Sequence, residues 1–289
     1  MNRGAFIISA GRSGSTLLSQ LISLHSSIHV VQEFFGYRSN KKKIFSLGSC
    51  SGEELWTELE KPMSKELYEV LKAGHISTAL NIHGAKQNVL LRTTLPLMNC
   101  FTAETLTQLE DYCTKLENDD VANHLSHLFE KLALWEGKAV WVERTGANLA
   151  YVKELFQLFP KAKYIFLSRN REDCVNSMQR HPTFLFRYCS KHYPSKVKRL
   201  CDFILGKVNA HELPIGLKEA MDSQLRDMES GATETMDEIP ESQKLYVDYN
   251  DILNNTERTL KYCFQFLNPE VSVSDDWLTV AKSMIIQKN

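Results

Sequence analysis

The chain has 289 residues, of which 43% are hydrophobic and 24% are charged, and this predicts a globular protein with a core, organised as one domain over residues 1–289. The formal net charge of −1 argues against a protein that binds nucleic acid through a broad basic surface, so any anion site must be local. No segment reads as a membrane span and no cleavable leader is recognisable, so we expect a cytoplasmic protein.

The first predicted elements are a strand and a helix joined by a turn rich in glycine and serine. Residues 5–9 form the apolar run of a buried parallel strand, and leucines recur at helical spacing from residue 17. Glycines let the backbone approach an anion closely, and the first helical turn supplies unpaired N–H donors. Arginine adds a fixed positive fork, and hydroxyls add donors. The turn therefore predicts an oxyanion-binding loop formed by Gly11, Arg12, Ser13, Gly14, Ser15 and Thr16.

The loop lacks the lysine of a nucleoside triphosphate-binding loop. That motif requires a lysine directly before the serine or threonine, whereas here Gly14 precedes Ser15. The run Gly-Arg-Ser-Gly-Ser-Thr-Leu-Leu instead resembles the 5′-phosphosulfate loop of sulfotransferases, which use 3′-phosphoadenosine 5′-phosphosulfate (PAPS) as donor. An ordinary glycine turn between strand and helix is the alternative.

A second short strand is predicted to end near Glu33. In an open α/β sheet the chemistry lies beyond the carboxyl ends of the strands. Glu33 is followed by Phe34 and Phe35, and an apolar environment would suit a general base. The spacing from the loop to Glu-Phe-Phe resembles that of bacterial trehalose sulfotransferase and its relatives, in which the equivalent glutamate is the proposed base. A solvated loop glutamate is the alternative.

The middle of the chain is predicted to consist of connections and helices. We expect a solvated loop or acceptor lid over residues 38–52, a helix over 53–74 with a break at Pro62, and a strand over 88–93. Two amphipathic helices then form a helical insertion over about 102–136. His124 and His127 have no third candidate ligand, so we expect them at the surface and predict no metal site.

A second strand–turn–helix unit follows. After a predicted strand over residues 138–144, another over 162–169 ends in Arg169, and Ser177 lies eight residues later in the next helix. The region 141–187 resembles the second PAPS-binding element of sulfotransferases, in which this arginine and serine hold the 3′-phosphate. An exposed ion pair of Arg169 with Glu172 or Asp173 is the alternative. Arg144 stands where many relatives have lysine, and a supporting or an acceptor-facing role remains open.

The C-terminal third is predicted to contain a hinge at residues 213–216, a helix to about 236, a strand ending near 251 and a closing helix. The tail resembles the Tyr-Glu-Asp strand of the same superfamily, with Asn250 where glutamate is usual. Seven cysteines lie singly along the chain without a C-x-x-C pair, so we expect free thiols rather than disulfides or a zinc site.

The resemblance implies a specific fold and activity. The fold is α/β, a P-loop-NTPase-like three-layer sandwich with a central parallel sheet of four or five strands and helical insertions. The activity is transfer of the sulfuryl group of PAPS to an acceptor hydroxyl on a carbohydrate or other small molecule, with Glu33 as base and Arg12 stabilising charge on the leaving group. A homodimer is compatible with carbohydrate-acting relatives. The alternatives are a P-loop kinase or hydrolase and a non-catalytic nucleotide-binding protein.

Overall fold

A five-stranded parallel sheet forms the centre of the molecule. The computed structural model describes residues 4–38, 40–62, 88–146, 148–192, 216–267 and 276–286. Its strands are β1 (Gly4–Ser9), β2 (Ile28–Gln32), β3 (Ser49–Cys50), β4 (Asp119–Asp120), β5 (Val140–Arg144), β6 (Lys163–Ser168) and β7 (Lys244–Asp248). The sheet has the order β2-β5-β1-β6-β7, and β3 and β4 form a separate antiparallel pair. The loops that follow β1, β5 and β6 therefore meet at one edge.

The helices cover both faces of this sheet. Their bounds are α1 (Ser15–Ser23), α2 (Lys41–Phe45), α3 (Gly52–Leu59), α4 (Thr105–Thr114), α5 (Val121–Trp135), α6 (Val152–Leu158), α7 (Arg171–Met178), α8 (Pro182–His192), α9 (Leu217–Glu238), α10 (Tyr249–Asn254), α11 (Thr256–Leu267) and α12 (Asp276–Ile286). None of these helices is both long and apolar enough to cross a membrane.

The apolar run of β1 supplies both cores because successive side chains of a strand point to opposite faces. Phe6 and Ile8 pack in one core with α3, α4, α5 and α6. Ala5 and Ile7 pack in the other with α1, α11 and α12. A charge buried on either face without a partner would be costly, which explains why this strand carries none. The predicted three-layer α/β fold with a parallel central sheet is confirmed.

Two local predictions in the middle of the chain are wrong. Residues 90–92 form a 3₁₀ turn instead of a strand, because the side chain of Asn88 accepts a hydrogen bond from Leu90 N (2.8 Å) and Thr93 Oγ1 donates to Val89 O (2.8 Å). Such side chain-to-backbone bonds compete with strand pairing. Residues 38–52 contain α2 and β3, because Ile44 and Phe45 are buried in the core.

The two amphipathic helices predicted within residues 102–136 are present as α4 and α5. Helix α5 packs directly on the sheet, where Phe129 contacts Phe34 and Trp141. His124 was expected at the surface, but it is buried, and its Nε2 lies 2.7 Å from Cys50 O. The predicted helix over 53–74 is α3 up to Leu59. Its residues 63–74, the segment after residue 192 and hinge residues 213–215 lie outside the described residues.

Candidate active site

The turn between β1 and α1 contains two left-handed residues. Arg12 has φ 65° and Gly14 has φ 96°. The hydroxyl of Ser13 donates to Ala10 O at 2.6 Å, so it stabilises the turn itself. The first hydrogen bond of α1 runs from Leu18 N to Gly14 O (3.0 Å), and the preceding N–H groups face out of the helix end. Within the described residues the hydroxyls of Ser15 and Thr16 have no hydrogen-bond partner.

The two glycines of this loop are required by close neighbours. A Cβ on Gly14 would lie 2.2 Å from the ring of Tyr249 in α10. A Cβ on Gly11 would lie 2.4 Å from the ring of Phe184 in α8. The loop backbone is thus held between two aromatic rings, and only glycine allows this approach.

The second strand–turn–helix unit lies beside the first because β6 pairs with β1. Arg169 follows the end of β6, and Asn170 caps α7 by accepting from Asp173 N at 3.2 Å. Arg12 Nε donates to Ser177 Oγ at 3.0 Å, and Arg169 Nη1 donates to Arg12 O at 3.2 Å. Arg12 and Ser177, two predicted site residues that lie 165 positions apart in the sequence, are therefore hydrogen-bonded to each other.

Arg12 and Arg169 give this edge of the sheet a local positive charge. Burial, and then the neighbouring guanidinium of Arg169, lower the pKa of Arg12. Arg169 packs its guanidinium carbon 4.4 Å from the ring centroid of Tyr249. Its ion pair with the exposed Asp173 spans 4.0 Å, which is long for a strong pair. Two cations this close, with so little carboxylate near them, suit an anionic ligand.

Glu33 lies at the end of β2, where the sequence predicted it, but its surroundings differ from the prediction. Its carboxylate pairs with Arg144 Nη1 and accepts from Gly146 N at 3.2 Å. Phe34 and Phe35 are buried in the core, so the apolar environment expected for the carboxylate is not what surrounds it. Phe34 packs edge-on against Phe129 in that core.

Arg144 binds the side chains of Glu33 and Gln32 with the two ends of its guanidinium. While Nη1 pairs with Glu33, Nη2 donates to Gln32 Oε1, and Arg144 O accepts from Glu33 N at 2.7 Å. These contacts are the ones that a supporting role of Arg144 requires. A lysine would bind only one of these partners well, since only arginine has a planar fork.

Glu33 and the β1–α1 loop meet at Gly146. A Cβ on Gly146 would lie 3.3 Å from Glu33 Oε1, and Gly146 O lies 3.4 Å from the position of a Cβ on Gly11. Tyr37 belongs to the same neighbourhood, because Glu33, Arg144 and Arg12 all influence its phenol, whose pKa is raised first by burial. No sequence signal marked Tyr37, which lies between the predicted strand end near Glu33 and the loop predicted from residue 38.

A buried carboxylate lies behind this site. Glu143 accepts from Thr145 Oγ1 at 2.6 Å and from Asn148 Nδ2 at 2.7 Å. Burial raises the pKa of Glu143 to about 7 despite these hydrogen bonds. Asn148 Nδ2 also donates to Ile7 O (3.2 Å), and Thr145 Oγ1 accepts from Phe35 N (3.2 Å). Glu143 thus connects β1, β5 and the Glu33 turn. No sequence pattern marks Glu143, since only its burial distinguishes it from other glutamates.

The described part of the chain contains no group of three or more histidine, cysteine or acidic residues placed to hold a metal. The five cysteines whose side chains are described, Cys50, Cys100, Cys113, Cys174 and Cys263, are free thiols.

Comparison with known proteins identifies a family and several solved structures that this chain resembles. The profile of the Sulfotransferase family matches residues 5–272. A search of curated proteins finds no match. Among solved structures, a sulfotransferase from Mycobacterium avium aligns with a TM-score of 0.51 and 10% identity, covering 99% of this chain and 68% of its own.

Two further solved structures are sulfotransferase domains of larger biosynthetic systems. The domain from the curacin biosynthetic pathway has a TM-score of 0.49 and 15% identity, with coverage of 95% of this chain and 76% of the other. The domain from the olefin synthase of Synechococcus PCC 7002 has a TM-score of 0.45 and 14% identity, with coverage of 98% and 93%. At these identities the structural likeness concerns the fold.

Proposed function

The chain belongs to the sulfotransferase family, and from this premise we propose that it transfers the sulfuryl group of PAPS to the hydroxyl of a small-molecule acceptor, such as a carbohydrate. The observation that carries the proposal is the hydrogen bond from Arg12 Nε to Ser177 Oγ (3.0 Å). It joins two anion-binding units at one sheet edge, which is what a nucleotide with phosphates at both ends of its ribose requires.

Each unit is assigned one end of the donor. The N–H groups of the β1–α1 loop and the hydroxyls of Ser15 and Thr16 bind the 5′-phosphosulfate. Ser13 contributes its N–H alone, since its hydroxyl is used within the turn. Arg169 and Ser177 bind the 3′-phosphate, where the planar guanidinium matches two phosphate oxygens. The excess positive charge of Arg12 and Arg169 fits this polyanion.

The reaction is a single displacement at sulfur. The acceptor oxygen forms a bond to sulfur while the bond from sulfur to the 5′-phosphate oxygen breaks, and 3′-phosphoadenosine 5′-phosphate (PAP) leaves. The acceptor proton passes to the Glu33 carboxylate, which Arg144 and Gly146 hold in position. Arg12 and the loop amides stabilise the charge that develops on the leaving phosphate. Most of the rate therefore derives from positioning and electrostatics.

Binding of PAP tests the donor assignment. Calorimetric titration with PAP should give a micromolar Kd, and ATP with magnesium should bind far more weakly. Arg169→Ala should weaken PAP binding by roughly tenfold or more, since a charge-assisted contact contributes about 1.5–3 kcal/mol. The same variant should affect adenosine 5′-phosphosulfate, which lacks the 3′-phosphate, much less.

Arg171→Ala is the matched control for this titration. Arg171 is the first residue of α7 and bonds Asp222 and Glu229 outside the proposed site. PAP should bind this variant as it binds the wild type. Binding of ATP in place of PAP would refute the donor assignment and favour a kinase.

A further inference from the structure

Helix α2 begins with three lysines that occupy different environments. Lys41 is buried, with 8% of its surface exposed, and Lys42 is exposed. The side chain of Lys43 is 60% exposed and pairs with the buried carboxylate of Glu58. Lysine is rarely buried unless it is paired, so Lys41 requires an explanation.

Lys41 has no counter-ion within the described part of the chain. Its Nζ lies over the ring of Tyr151, 5.0 Å from the centroid, and none of the described residues gives it a hydrogen bond or an ion pair. Burial, followed by the positive charge of Arg187, lowers the pKa of Lys41 to about 8. A cation over an aromatic ring recovers only part of its lost hydration.

Two carboxylates act on Lys41, and both already have partners of their own. Glu33 and Glu143 are the two carboxylates that influence its ammonium. Glu33 pairs with Arg144, and Glu143 is hydrogen-bonded to Thr145 and Asn148. Neither carboxylate is therefore free to serve as the counter-ion of Lys41, and the Glu33 side of the site has an excess of positive charge.

Arg38, three residues before Lys41, adds to this excess of positive charge. It is buried and donates to the carbonyls of Phe34 (2.9 Å) and Leu59 (2.7 Å) instead of to a carboxylate. Burial lowers the pKa of Arg38 to about 9. The charges assigned to the donor, those of Arg12 and Arg169, belong to the β1–β6 side and do not account for Lys41.

We propose that Lys41 binds an anionic oxygen group carried by the acceptor, so that the preferred substrate is a hydroxyl compound that also bears a carboxylate or phosphate. This inference rests on the proposed function, since it concerns the acceptor of that reaction. An anion at Lys41 supplies the missing counter-ion, and Glu33, whose charge acts on the same ammonium, is then the base for a hydroxyl of the same molecule. Arg187, on α8, adds attraction for the same group.

The test compares two probes that differ in one group. Protein saturated with PAP is titrated with 4-nitrophenyl β-D-glucuronide and with the uncharged 4-nitrophenyl β-D-glucoside. The wild type should bind the glucuronide roughly tenfold more tightly or better, as expected for a charge-assisted contact in a buried site. Lys41→Met should remove the preference, and Lys43→Met should keep it. Equal binding of the two probes by the wild type, or a preference that survives in Lys41→Met, overturns the proposal.

Two further measurements distinguish a loss of anion binding in Lys41→Met from damage to the fold. Lys41→Met should melt at a higher temperature than the wild type, because it removes an unpaired buried charge that serves binding. In the wild type, the glucuronide should slow reductive methylation of Lys41 relative to Lys43, and equal rates would count against the proposal without any variant. Failure of PAP to bind would refute the proposed donor, whereas the comparison of probes repeated without PAP still tests Lys41.

Discussion

Backbone strain at the level of single residues coincides with the site. Among the described non-glycine residues, those with left-handed φ are Arg12 (65°), Glu33 (50°) and Tyr37 (57°). Each such conformation costs about 1–3 kcal/mol and persists only where the surroundings enforce it. At Glu33 the enforcing contacts are visible, since its N–H bonds Arg144 O and its carboxylate bonds Arg144 and Gly146. The strain thus aims a carboxylate at the edge that holds the anion loop.

Glu33→Gln tests the role of this carboxylate. The amide retains the shape of the side chain but cannot accept the acceptor proton, so kcat should fall by roughly a hundredfold or more. PAP binding, measured by calorimetry, should change little because Glu33 is not one of the residues proposed to bind PAP. A Glu33→Gln enzyme with wild-type turnover would remove Glu33 from the mechanism, and Arg144 would then have only a structural role.

The β1–α1 loop is the element in which packing and function depend on each other most directly. Gly14→Ala should destabilise the fold and weaken PAP binding, because the new Cβ meets the Tyr249 ring at 2.2 Å in addition to a strained φ of 96°. Thermal melting and calorimetry measure the two effects.

Gly137→Ala is the matched control for this substitution. Gly137 also has positive φ (66°), but a Cβ there meets nothing within 4 Å. Gly137→Ala should therefore lose stability only through the strained backbone conformation. The backbone strain should lower the free energy of unfolding by about 1–2 kcal/mol, and crowding at Gly14 should lower it by about a further 1–3 kcal/mol. Equal losses in the two variants would mean that Tyr249 does not constrain the loop.

Glu143 connects three elements and should make stability depend on pH. The folded protein keeps the Glu143 proton up to about pH 7, whereas the ordinary pKa is 4.5, so the native state binds more protons between these values. Stability should therefore fall as pH rises through this window, by up to about 1.4 kcal/mol per pH unit. Glu143→Gln mimics the protonated form and should lessen that fall. Denaturant unfolding of the wild type and the variant at pH 5 and pH 8, roughly the two ends of this window, measures the change in the free energy of unfolding.

A control distinguishes this effect from a general loss of charge. Glu130 is an exposed residue of α5, and Glu130→Gln should leave the pH dependence of unfolding as in the wild type. If Glu143→Gln were to show the same pH dependence as the wild type, the buried carboxylate would be ionised throughout this range.

The elements differ in how far the sequence could predict them. The β1–α1 loop was predictable because its residue types lie in one short turn, and Arg169 and Ser177 were selected through the resemblance to sulfotransferases. The Glu33–Arg144 pair was not, since it depends on the register in which β2 pairs with β5, Gln32 opposite Arg144. Lys41 was expected in a solvated loop because three consecutive lysines indicate exposure, and only the packing of Ile44 and Phe45 buries the first of them.

At the scale of the whole molecule, strand order decides which of the predicted residues meet. β1 lies between β5 and β6, so its loop adjoins Gly146 on one side and Arg169 on the other. This order also disfavours a kinase, which needs an aspartate for magnesium at the end of a neighbouring strand. β5 ends in Arg144 and β6 in Ser168. Asp248 ends β7, one strand further away, and its carboxylate caps α10 by accepting from Asn250 N.

Because the proposed donor site joins loops from both halves of the sheet, PAP should stabilise the entire fold. A ligand at a hundred times its Kd contributes about 2.7 kcal/mol, which corresponds to a rise in Tm of about 5–10 °C for a chain of this size. Differential scanning calorimetry with and without PAP measures the rise, which Arg169→Ala should reduce and Arg171→Ala should preserve. An equal rise with ATP and magnesium would contradict a site selective for the 3′-phosphate. Arg169 would then be a general anion contact, with no part in the choice of nucleotide.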